Sequence, residues 1–185
     1  MLLRHRPPAL ESQPVTTEKG YEHLDRKAVA ILRWLQANGV EFVLVGAVAE
    51  AIRGGAGAPG PVAIVPAPYS RNFERLSRAL WSAHARLRID GEAGSVPFKM
   101  NEEKLTRGQR WSVRCGIYDL DIEGDPPHTP RYQELLYEAV RFEIGPDLNV
   151  EVASPEDVEH YAHVNRTGAA PEIRISRNSR EQKPA

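Results

Sequence analysis

Asp119, Asp121 and Glu123 recur at every second position in Tyr118-Asp-Leu-Asp-Ile-Glu123. In an extended strand such spacing sends all three carboxylates to one face. Carboxylates in a row can hold a divalent cation, so a residual single-metal site is one reading. The plainer reading is a half-exposed strand with Leu120 and Ile122 buried and the acids in water, and alternation alone favours it. Other chemistry is thin. His160 and His163 are three apart on a helical stretch, but no glutamate completes a metal pattern around them. No histidine stands beside a serine or cysteine in a nucleophile motif. Gly54-Gly-Ala-Gly57 lacks the lysine of a phosphate loop and reads as a connection.

The elements that must carry these residues emerge from periodicity. Leu24, Ala28, Ile31, Leu32 and Leu35 have helical spacing, with Gly39 as a stop. Residues 41–45 read as a buried strand, 47–53 as a short helix and 62–65 as a second strand. Ser70 can cap a helix that buries Phe73, Leu76 and Leu80. Residues 86–89 form a third strand. Residues 90–110 read as irregular, anchored by Phe98, Met100 and Leu105. Strands are expected at 111–115 and 118–123, a helix from Thr129-Pro130 to Val140, a hairpin from 141–144 and 149–152, and a last helix from Ser154-Pro155 to Asn165. The order predicts an α/β (α+β) domain: a mixed sheet flanked by helices, with the helices on one face.

The bulk numbers exclude several classes. The chain has 185 residues, a net charge of −1 and one cysteine, Cys115. That leaves no intramolecular disulfide, no thiolate metal cluster and no strong field toward nucleic acid. The longest apolar run, 42–49, is too short to span a bilayer, and the N-terminus has no signal-peptide core. A cytoplasmic protein without membrane contact is expected. Residues 1–21 read as a flexible arm and 167–185 as a flexible, basic, polar tail. A homo-oligomer is compatible with all of this.

One segment carries a resemblance. Ala30-ILRWLQANGVEFVLVGAVAEAIRGG-Ala56 resembles the start of a minimal nucleotidyltransferase domain of the DNA polymerase β superfamily. In that family a helix leads to an apolar strand ending in Gly-Gly or Gly-Ser. The next strand carries Asp-x-Asp, and a later strand supplies a third carboxylate. Residues 71–88, 96–124 and 131–164 are similar to the family's later helices and strands, so the resemblance covers about 22–166. It implies a nucleotidyltransferase-like fold, in which two metals between carboxylates clamp a nucleoside triphosphate. Gly46 and Ala47 would stand at the nucleotide-binding turn, and Asp121 at the third carboxylate, with Asp119 beside it.

The sequence departs from the family where chemistry needs it most. Gly57-APGPVAIVPA-Pro68 occupies the Asp-x-Asp strand, and the pair falls on Pro61 and Ala63, which bind no metal. The family's lysine in the last helix has no counterpart either. The expectation is a scaffold that has lost catalysis and works as a binding or interaction module, with no cofactor and a protein or RNA partner. Family relatives often belong to toxin–antitoxin or defence modules. The alternative is a rebuilt site, with Mg2+ and a nucleoside triphosphate held by Asp119, Asp121 and Glu50 or Glu123.

Overall fold

The computed structural model describes residues 24–55, 60–89, 92–97, 101, 103–104, 110–124 and 127–168. The expected arm, most of the tail, and the anchors Phe98, Met100 and Leu105 lie outside them. Eight strands and five helices are described: α1 (Arg26–Ala37), β1 (Phe42–Val45), α2 (Gly46–Ile52), β2 (Val62–Pro66), α3 (Ser70–Ser82), β3 (Arg86–Ile89), β4 (Glu92–Pro97), β5 (Arg110–Cys115), β6 (Tyr118–Glu123), α4 (Tyr132–Glu138), β7 (Val140–Gly145), β8 (Leu148–Val152) and α5 (Pro155–Thr167). The fold is mixed α/β, as the pattern predicts.

All these strands join one sheet in the order β4-β3-β5-β6-β2-β1-β8-β7. β2 runs parallel to β6, and β1 parallel to β8; the other neighbours are antiparallel. The apolar Val-Ala-Ile-Val of β2 sits near the centre, and each of its residues is buried. Successive side chains of a strand point to opposite faces. The sheet centre is therefore covered on both faces, not on the single one that the pattern suggests. β4 falls in the stretch expected to be irregular; its pairing is with β3, across a register shift.

Helix ends show where local signals decide. Asp25 caps α1 by accepting from the Lys27 amide at 2.9 Å. Ser154 caps α5, with Pro155 in the first turn, as expected. Ser70, however, lies inside α3, whose N-cap is Tyr69. Thr129-Pro130 lies ahead of α4, where the Glu134 carboxylate accepts from the Arg131 amide at 2.8 Å instead. α5 runs to Thr167, two residues beyond Asn165, and ends at Gly168 with φ 70°. Glycine adopts that left-handed conformation without a Cβ penalty.

Two polar side chains, one buried and one half-buried, fix the sheet's surroundings. Asn72, with no exposure, accepts from the Glu41 amide at 2.8 Å and donates to the carbonyls of Glu41 (2.8 Å) and Ala67 (3.1 Å). One amide thus ties the entrance of β1 and the exit of β2 to α3. Arg53, at the end of α2, donates to the carbonyls of Val152 and Ala153, and its guanidinium lies 5.1 Å from the centre of the Phe142 ring.

Candidate functional site

The turn Cys115-Gly116-Ile117-Tyr118 sets the site. Cys115 pairs with Tyr118, so the β5–β6 register continues Arg114↔Asp119, Ser112↔Asp121 and Arg110↔Glu123. Gly116, with φ 64°, supplies the positive dihedral that so short a reversal needs. On the other side of β6 the parallel register sets Ala63 beside Asp121. Antiparallel pairing of β1 sets Val45 beside Ala63. Gly46 comes next, with φ 73°, and a Cβ there would come 3.0 Å from that of Ala63. A Cβ on Gly60 would come 2.9 Å from that of Ala47. Gly46, Ala47, Ala63 and Asp121 are therefore brought together, but the turn is closed against the strand by direct contact.

Two of the three acids are out of water. Asp121 is 1% exposed and Glu123 0%, and Leu120 and Ile122 are buried as well. The expectation of acids in water is overturned for Asp121 and Glu123, which arginines on β3 and β5 cover, while Asp119 keeps a side-chain exposure of 31%. Arg114 binds Asp119 through Nε at 2.8 Å. Arg88 bridges Asp119 and Asp121 at 3.0 Å each. Arg110 bridges Asp121 at 2.6 Å and Glu123 at 3.1 Å. Asn165 of α5 lies 3.4 Å from Glu123. Three carboxylates alternate with three guanidiniums, so the row is neutral as a whole. The β3–β5 register, Leu87↔Val113, puts Arg88 alongside Ser112. That small side chain lets the guanidinium reach across to Asp121.

This geometry does not fit the two metals that the resemblance implies. Each Asp121 oxygen already faces a guanidinium donor, and a cation would have to displace a charge-assisted pair. Pro61 and Ala63 add no ligand. Among the described residues no group of three or more His, Cys, Asp or Glu side chains is placed to hold a metal ion.

The remaining candidates lie elsewhere. Glu50 is exposed on α2 and packs against Gly55. His160 hydrogen-bonds through Nε2 to the carbonyl of His128 at 2.7 Å. Cys115 is buried, and burial pushes its thiol up to about 12, so it forms no reactive thiolate. A cleft of about 340 Å³ opens at the start of β2 and β6, lined by Asp25, Lys27, Ile31, Pro61, Tyr118 and Asp119 among others. Pro61 and Asp119 reach it; Ala63 and Asp121 do not.

The arginines pull Asp119 down, Arg114 most and then Arg88. Burial raises Glu123 above its ordinary range, opposed by Arg110 and Asn165, and its Oε2 has no hydrogen-bond partner. A carboxyl raised on folding favours the native state fully below its unfolded pKa, near 4.5. That contribution is lost as pH rises through the folded value. Glu123→Gln is therefore expected to gain stability relative to wild type between pH 4 and pH 8. Urea unfolding of both proteins across that range checks it; a constant difference would contradict it.

No protein-family model matches the chain, and no curated protein is significantly similar to it. No described helix is long and apolar enough to cross a membrane.

Proposed function

We propose that this chain is a nucleotidyltransferase-fold protein that acts by binding a partner rather than by transferring nucleotides. One observation carries the reading. Asp121, at the position of the third carboxylate, has Ala63 as its strand neighbour and Arg88 and Arg110 on its two oxygens. In an active relative the three carboxylates must converge on two metals. Here the neighbouring position is a methyl group, and the positive charge comes from fixed side chains. Guanidiniums neutralise the acids but cannot exchange a ligand for a triphosphate oxygen or activate a hydroxyl.

The scaffold then offers a rigid surface in the cytoplasm to a protein or RNA, and a toxin–antitoxin or defence module is the setting that the resemblance implies. Labelled-nucleotide transfer tests the reading. The protein is incubated with each α-labelled nucleoside triphosphate, magnesium or manganese, and total cellular RNA and protein. No acceptor is expected to gain label. Label that depends on the wild-type chain and disappears with Asp121→Asn would overturn the reading and support a rebuilt carboxylate site.

A further inference from the structure

The chain's net charge of −1 hides a separation of charge. Helix α1 carries Arg26, Lys27 and Arg33 and no acid, and α3 carries Arg71, Arg75 and Arg78 against one acid, Glu74. The later helices are the reverse: α4 and α5 carry Glu134, Glu138, Glu156, Asp157 and Glu159 against Arg166. The two basic helices meet. Arg75 donates to the carbonyl of Gly39, in the turn after α1, at 3.0 Å and faces Glu41 at 3.6 Å. Each helix also repeats an exposed arginine seven residues on, Arg26 with Arg33 and Arg71 with Arg78. Seven residues make two helical turns, so each pair lies on one stripe, about 10 Å apart along the axis. These four arginines and Lys27 make no ion pair among the described residues. Arg33 donates to the carbonyl of Pro146.

We propose that the joined faces of α1 and α3 dock the phosphate backbone of a nucleic-acid duplex. Cations on rigid stripes match a chain of phosphates, which asks only for positive charge and hydrogen-bond donors. Guanidiniums suit that task, since their planar fork binds phosphate oxygens in pairs. A protein partner would need apolar anchors at the centre of the interface. The two helices leave one large apolar side chain exposed, Trp81. A single strand would need aromatic platforms for its bases, and the same shortage applies. The acids of α4 and α5 repel phosphate, so they bias the side from which a duplex approaches. Neither basic helix contributes a residue to the carboxylate row, so the proposal stands whether or not the chain transfers nucleotides.

Fluorescence anisotropy with labelled DNA and RNA duplexes of about twenty base pairs tests it. Both are expected to bind with Kd of about 1–100 µM, weakening steadily as salt rises from about 50 to about 200 mM. Contact with the backbone alone should leave the two duplexes within about threefold of each other. The double variant Arg71→Ala/Arg78→Ala removes two phosphate contacts. Its affinity is expected to fall about tenfold or more at low salt, and its salt slope by about 2. Circular dichroism establishes that this variant, which breaks no ion pair among the described residues, keeps its fold. Arg166→Ala, on the acidic α5, is expected to bind as wild type does. Labelled polyglutamate should bind more weakly than either duplex. Three results would each overturn the proposal: no duplex binding at low salt, duplex affinity unchanged in the double variant, or polyglutamate held as tightly as the duplexes.

Discussion

Asp121→Ala is expected to cost about 3–5 kcal/mol of folding stability, the range for breaking a buried ion pair from one side. The carboxylate is almost without exposure and meets two guanidiniums, Arg88 at 3.0 Å and Arg110 at 2.6 Å. Removing it leaves each cation one carboxylate short, Arg88 with Asp119 alone and Arg110 with Glu123 alone. Arg110, with a side chain 39% exposed, can swing toward water, whereas Arg88, at 15%, is held across Ser112. That difference puts the expected loss near the lower end, about 3 kcal/mol. Urea unfolding at neutral pH measures it. A loss under about 1 kcal/mol, typical of an exposed pair, would mean that the row is solvated after all.

Ala63→Asp, which introduces one carboxylate of the pattern that the resemblance implies, is expected to destabilise the protein by about 3 kcal/mol or more and to create no metal binding. Two costs combine. Ala63 is buried against Gly46, so a larger side chain overpacks that contact, at about 1–3 kcal/mol. Its strand neighbour is Asp121, so a second buried carboxylate meets a like charge. Arg88 and Arg110 are already shared between carboxylates. Thermal unfolding of the variant, with and without magnesium, decides the point. A variant as stable as wild type and further stabilised by magnesium would mean that the metal site needs only the missing acid.

Both predictions rest on a register that the sequence contains but that periodicity alone does not reveal. The chain reads cleanly where one rule dominates: the amphipathic spacing of α1 and α3, the buried runs of β1 and β2, the Ser154-Pro155 cap. Alternation in Tyr118–Glu123 is legible too. The fate of its acids is not, because alternation says which residues share a face and not what covers that face. The covering signal is Arg110, Ser112 and Arg114, which alternate on the preceding strand, and the two-residue turn Gly116-Ile117 that sets them opposite the acids. Arg88 escapes such a reading. It reaches Asp121 from two strands away, a contact that only the strand order β3-β5-β6 creates. β4 is hidden for a related reason: Glu92-Ala-Gly-Ser-Val-Pro97 has little strand propensity, and it is paired through β3 at the sheet's margin.

On the proposed reading, the carboxylate row is held by arginines and serves no metal-bound nucleotide. Calorimetric titration of the 185-residue chain with each nucleoside triphosphate, with and without magnesium or manganese, tests it most directly. The predicted result is no metal-dependent heat at millimolar nucleotide, in wild type and in a folded Asp121→Asn variant alike. Metal-dependent binding in wild type that vanishes in Asp121→Asn would contradict the account, since it would require the guanidiniums to yield Asp121 to a cation.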